Sequence, residues 1–137
     1  MQPVILAVDD DPLVLRVIER DLKSAFADGH TVLTAPSGSE GLQLVADLGG
    51  RGAQVALLVA DQRMPEMTGT QFLKAAGAMQ PDAKRVLLTA YADTDVAIEA
   101  INKIALDLYL MKPWDPPEEM LIPPLAGLLE DWQATTH

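Results

Sequence analysis

Four polar groups interrupt apolar runs in this chain: Asp9 with Asp10, Asp61, Thr89, and Lys112. Asp61 ends the unbroken run Val55 to Ala60, and Asp9 ends the run Val4 to Val8. A carboxylate in such a place is a candidate nucleophile towards phosphorus. The carboxylate and a phosphoryl group are both anionic, so catalysis between them comes down to positioning and charge neutralisation. The other groups match that need. Asp10 with Asp61 makes a hard oxygen site suited to Mg²⁺, and Asp9 adds a ligand to the metal or to its water. Lys112 is a single cation able to pair with a phosphoryl oxygen or, before transfer, with Asp61. Thr89 offers a hydroxyl donor to another phosphoryl oxygen, and the small Ala90 beside it leaves room for an incoming donor. Asp11, the third acid of its run, is read as a helix cap ahead of Pro12. Two more acids at the end of a buried strand repel each other, so a cation site at Asp9 and Asp10 stands as a reading beside that of a solvated charge run.

These groups need strands to place them. Val4 to Val8 and Val55 to Ala60 are continuous apolar runs suited to strands buried on both faces. Thr31 to Ala35, Arg85 to Leu88 and Asp107 to Leu110 read as three more, the last with the partial alternation of an edge strand. Helices alternate with them. Leu15, Ile18, Leu22, Ala25 and Phe26 recur at helical spacing after Pro12. Ser37 with Glu40 and Thr68 with Gln71 read as capping boxes for helices to about Leu48 and Met79. Asp93 caps a fourth helix carrying Val96, Ile98, Ala100 and Ile101. A fifth begins near Pro117, with Pro123-Pro124 kinking or interrupting it. Gly49-Gly50-Arg51-Gly52 is a flexible connector; it lacks the Lys-Ser/Thr ending of a phosphate loop and precedes a strand. Pro65 and Gly69 force a loop after Asp61. Five strands alternating with five helices make an α/β doubly wound parallel sheet. Right-handed crossovers then bring all strand C-terminal ends, and with them the four polar groups, to one edge.

Composition narrows the function classes. The chain has 137 residues, 49% of them hydrophobic, which sets one globular domain. It has no cysteine, which excludes disulfides, thiolate nucleophiles and Cys-ligated zinc and suits a reducing compartment. The first apolar run is too short for a signal peptide, and no stretch approaches a membrane span. A formal net charge of -10 argues against nucleic acid as a direct partner.

Asp9-Asp10, Asp61 with Met64-Pro65 and Gly69, Thr89-Ala90, and Lys112-Pro113 together resemble the receiver domain of a two-component response regulator. The likeness runs from roughly Val4 to Trp132 and implies a single receiver domain over residues 1–137. It implies the flavodoxin-like (CheY-like) strand order 2-1-3-4-5. It also implies that Asp61 accepts a phosphoryl group from a histidine kinase or phosphotransfer protein. The implied cofactor is Mg²⁺, with Mn²⁺ as its substitute, and the backbone carbonyl of Arg63 completes the metal shell. Such a domain is a cytoplasmic regulator and not an enzyme; it catalyses only its own phosphorylation and slow dephosphorylation. Its response passes to a downstream output domain or a homodimer.

The resemblance further implies a switch. Phosphorylation adds about -1.5 to -2 charge units; Thr89 moves towards them, and Tyr109 turns into the space vacated. That couples Asp61 to the face formed by the fourth helix, fifth strand and fifth helix. Arg63 and Tyr91 flank the path of hydrolytic water and, both being large, imply slow dephosphorylation. Three alternatives share part of the pattern. A haloacid-dehalogenase-type phosphatase also uses Asp, Thr or Ser, Lys and Mg²⁺, but wants an acid where Arg63 stands. A receiver-like docking module needs none of these groups. An electron-transfer flavodoxin needs a phosphate-binding loop after the first strand, which this chain lacks.

Overall fold

A computed structural model describes residues 2–90, 103 and 105–136. Its strands are β1 (Val4–Val8), β2 (Thr31–Ala35), β3 (Val55–Asp61), β4 (Lys84–Thr89) and β5 (Leu108–Met111). They form one sheet in the order β2-β1-β3-β4-β5, with every pairing parallel. The helices among the described residues are α1 (Pro12–Phe26), α2 (Gly38–Gly50), α3 (Gly69–Met79), α4 (Pro117–Met120) and α5 (Ile122–Thr136). The helix expected after Asp93 lies outside the described residues. The doubly wound sheet and its 2-1-3-4-5 order are as expected.

The burial pattern explains the sheet. All of β1 and β3 is buried, as strands covered on both faces require. On one face Leu6, Val8, Leu58, Ala60 and Leu87 pack with Val45 of α2 and Phe72 and Leu73 of α3. On the other, Ile5, Ala7, Leu57, Val59 and Val86 pack with Ile18 and Leu22 of α1 and Leu125, Leu129 and Trp132 of α5. Successive side chains therefore alternate between two cores, and that alternation decides where each edge group points.

The ends hold several corrections. β3 runs one residue further than its apolar stretch and includes Asp61. Gly49 and Gly50 are the last turn of α2 and not a connector; the chain leaves the helix at Arg51, and Gly52 takes the left-handed backbone at φ 74°. Gly69 opens α3 and is not part of the preceding loop. The break in the last helix falls at Leu121, ahead of Pro123-Pro124. The reason is that the missing proline N–H groups would have bonded carbonyls four residues back, so the interruption lands upstream. Asp11 caps α1 as expected, accepting from the Leu13 N–H at 2.9 Å. Thr68 and Gln71 close a reciprocal capping box on α3.

Candidate functional site

Asp9 follows β1, Asp61 ends β3, Thr89 ends β4 and Lys112 follows β5, so all four meet at one edge of the sheet. Lys112 Nζ lies 2.8 Å from Asp61 Oδ1 and 2.9 Å from Asp9 Oδ2. Asp9 is almost fully buried, and its Oδ1 accepts from the Asp11 N–H at 2.9 Å. That bond turns the chain from β1 into α1 and leaves the neighbouring Asp10 exposed. Asp9, Asp10 and Asp61 each offer a carboxylate oxygen, and these lie within 4.8 Å of one another.

Three carboxylates thus face one ammonium. Burial pushes the Asp61 carboxyl above the ordinary carboxylate range; the Lys112 hydrogen bond opposes this, and the charges of Asp9 and Asp10 add to it. Burial alone would lower Lys112, but the hydrogen bonds it donates to Asp61 and Asp9, with their charges, outweigh it and hold the ammonium above its ordinary value. The two shifts differ in leading cause: burial for Asp61, with the neighbouring acids adding to it, and the two carboxylate partners for Lys112. The donor set, all oxygen and mostly anionic, fits a hard divalent cation such as Mg²⁺.

Thr89 belongs to the opposite face. It lies two residues after Leu87, which packs against the α2–α3 side. It is fully buried, and its Oγ1 has no hydrogen-bond partner among the described residues. Tyr109 pairs in register with Leu87, is half-buried, and packs against the same core. Arg63 is exposed in the loop after β3. Tyr91 lies outside the described residues. The edge therefore brings Asp9, Asp10, Asp61 and Lys112 together, with Thr89 and Tyr109 on the sheet face away from Lys112.

Two buried polar residues were not singled out from the sequence. Gln62, next to Asp61, accepts from the Thr70 N–H through Oε1 at 3.0 Å, and its carbonyl accepts from the Gly69 N–H at 3.1 Å. It thereby ties the start of α3 to the end of β3. Asp21 on α1 accepts from the Trp114 indole Nε1 at 3.0 Å. Its signal is legible in hindsight: an acid one turn after Ile18, inside the apolar stripe of the helix.

A doubly wound sheet with paired acids after β1, an acid on β3 and a lysine after β5 defines a class of regulatory phosphoacceptor domain. The response regulator receiver domain family matches residues 5–121, and the chain belongs to that family. It is 36% identical over 133 residues to the transcriptional regulatory protein ZraR of Escherichia coli (strain K12), which covers 97% of this chain and 27% of that protein. It is 35% identical over 112 residues to the DNA-binding transcriptional regulator NtrC of the same organism, 82% of this chain and 22% of that protein. The chain thus spans about a quarter of the length of these curated relatives. Among solved structures, the receiver domain of AraT, a response regulator from Geobacillus stearothermophilus, matches with TM-score 0.82 and 27% identity over 100% of both chains. The signal receiver domain of an HD domain-containing protein from Pseudomonas fluorescens Pf-5 matches with TM-score 0.82 and 29% identity, covering 98% of this chain and 92% of that one. The chain is a receiver domain of two-component signalling, and the phosphatase reading is not favoured.

Proposed function

We propose that Asp61 is the phosphoacceptor of this receiver, taking a phosphoryl group from a histidine kinase or phosphotransfer protein. The observation that carries the reading is the Lys112 ammonium shared between Asp61 and Asp9 beside a cluster of three carboxylates. A free Asp61 oxygen attacks phosphorus in line; the O–P bond forms as the P–N bond of the phosphohistidine breaks, and the imidazole leaves with the electron pair. Lys112 then exchanges its Asp61 oxygen for a phosphoryl oxygen without leaving Asp9. Asp9, Asp10, Asp61 and the Arg63 carbonyl would hold Mg²⁺, or Mn²⁺ in its place. When bound, the cation supplies neutralisation of the charge shared by carboxylate and phosphoryl oxygens.

The response begins at Thr89. Its buried hydroxyl has an unmet hydrogen bond among the described residues, and a phosphoryl oxygen at Asp61 offers the acceptor. Tyr109, on the same face, follows it and alters the β5 side of the domain. The single-domain span 1–137 and a cytoplasmic setting belong to the same reading, as does relay to an output domain or a second copy. Among the described residues, no helix is long and apolar enough to cross a membrane.

The test is incubation with a small-molecule phosphodonor and Mg²⁺. The parent should gain one acid-labile phosphoryl group, and Asp61→Asn none. Labelling of Asp61→Asn at the parent's level would reject the assignment.

A further inference from the structure

Asp21 is a carboxylate on the buried side of a surface helix. It stands one turn after the buried Ile18 and beside the buried Leu22, and it is itself only 8% exposed. Its Oδ1 meets the exposed Arg20, with Nη2 at 3.2 Å. Its Oδ2 accepts from the Trp114 indole at 3.0 Å, joining α1 to a segment 93 residues away. Trp114 lies two positions after Lys112, and its ring is buried with Leu121, Leu125 and Trp132. Apolar burial alone would seat that ring. A leucine at position 21 would also complete the α1 stripe without the cost of burying a charge. What the carboxylate adds is a directed, charge-assisted bond that fixes the orientation of the indole. Pro113, with its ring-locked φ, leaves few free torsions between that indole and Lys112.

We infer that Asp21 is a positioning residue for phosphoryl transfer, fixing through the Trp114 indole the loop that aims the Lys112 ammonium at Asp61. The inference rests on Asp61 being the acceptor. Without the bond the loop is still packed, but the backbone from which the ammonium reaches Asp61 at 2.8 Å and Asp9 at 2.9 Å is less firmly fixed. Small misplacements at a reacting centre cost up to about 100-fold in rate. Lys112 keeps both its partners, so the expected loss is about tenfold.

The experiment follows phosphorylation of the full chain by acetyl phosphate with Mg²⁺ over a range of donor concentrations. Asp21→Leu should lower the limiting rate about tenfold and leave the half-saturating donor concentration unchanged. Asp21→Asn keeps an oxygen acceptor for the indole and should recover most of the rate. Trp114→Phe should match Asp21→Leu, and the double variant should be no slower than either single one. The Trp114 indole N–H resonance should shift in Asp21→Leu and stay near its parent position in Asp21→Asn. A folded Asp21→Leu protein that labels at the parent's rate, or a double variant whose losses multiply, overturns the inference. If Asp21→Leu does not fold, Trp114→Phe decides, and a parent-like rate there overturns it equally. Asp61→Asn, run in parallel, separates the two readings. Label retained in that variant rejects the acceptor assignment, whereas label lost there with parent-like Asp21→Leu rejects the positioning role alone.

Discussion

Gly69→Ala tests how tightly the end of β3 is packed beneath the acceptor. A Cβ at Gly69 falls inside van der Waals contact with the carbonyl oxygen and carbon of Asp61 and with Cδ1 of Leu87. Neither neighbour can withdraw. Asp61 is in register with Leu88 in the sheet, and Leu87 is fully buried. Overpacking costs about 1–3 kcal/mol, and a clash against backbone belongs at the upper end, so about 3 kcal/mol is expected. At an unfolding entropy of about 2.1 cal/mol/K per residue, a chain of this length loses about 3.5 °C of Tm per kcal/mol, hence about 10 °C. Gly77→Ala is the control. Its Cβ would meet the guanidinium of Arg85, the far end of a flexible side chain. Alanine is also favoured over glycine by about 1 kcal/mol inside a helix, so its Tm should stay within about 3 °C of the parent. The assay is thermal unfolding by circular dichroism in a chelator. A Gly69→Ala protein melting within about 3 °C of the parent, or equal losses in both variants, would refute the reasoning.

Without divalent cations, stability should fall as pH rises from 3.8 through the raised pKa of Asp61, because over that window the folded chain binds more protons than the unfolded one. Asp61→Asn should lose that slope, and a denaturant series across pH that still shows it would reject the cause. Lys112, raised above 10.5, contributes stability that is full below that value and lost as pH climbs through its folded pKa; Lys112→Met should flatten the alkaline limb of the same series. Mg²⁺ at one hundred times its Kd should stabilise the parent by about 2.7 kcal/mol, and a chelator should remove the effect. Asp10→Ala should stay folded but lose the response, so an unchanged Tm shift in that variant counts against the site. Gly127→Ala, exposed in α5 with open space around a Cβ, should stabilise by about 0.5–1 kcal/mol in a denaturant melt, and a loss of stability would be the contrary result. The Arg63→Ala/Tyr91→Ala double variant should lose its phosphoryl group faster than the parent after donor removal; equal decay rejects shielding by these side chains.

Much of this architecture is legible in the order of residues, for a physical reason. Val4 to Val8 and Val55 to Ala60 are apolar at every position, and runs this short suit strands covered on both faces. Once those strands are parallel, Asp9 and Asp61 have nowhere to be but the same edge. The rest depends on contacts with no local signature. Gly49 and Gly50 read as a connector because their intrinsic preference opposes helix, yet the last turn of α2 includes them. Gly69 looks like a loop residue, and only the fold shows that its missing side chain makes room for the Asp61 carbonyl. The prolines of α5 mark a break but not its position, because a missing N–H acts four residues upstream. Asp21 and Trp114 are 93 residues apart, and neither carries a motif that names the other.

The alternation of the strands sets the division of labour at the edge. Ile5 and Ala7 face the α1–α5 core, as do Leu57 and Val59, and Leu108 and Leu110 pack against it. Continuing each strand by one pleat puts Asp9, Asp61 and Lys112 on that side, which is why one ammonium reaches both carboxylates. Leu87 and Tyr109 face the other core, and the same step puts Thr89 with them. On the proposed reading, a group added at Asp61 has the Lys112 cation on its own face of the sheet and the Thr89 hydroxyl as a candidate donor on the other. The cation is already engaged, so its exchange of one oxygen for another changes little in the fold. The hydroxyl is buried and unpartnered among the described residues, and such a group costs about 1–3 kcal/mol until an acceptor arrives. On the proposed reading, the conformational response runs through Thr89 towards Tyr109, while Lys112, which keeps its contact with Asp9 at 2.9 Å, is the fixed point against which Thr89 moves.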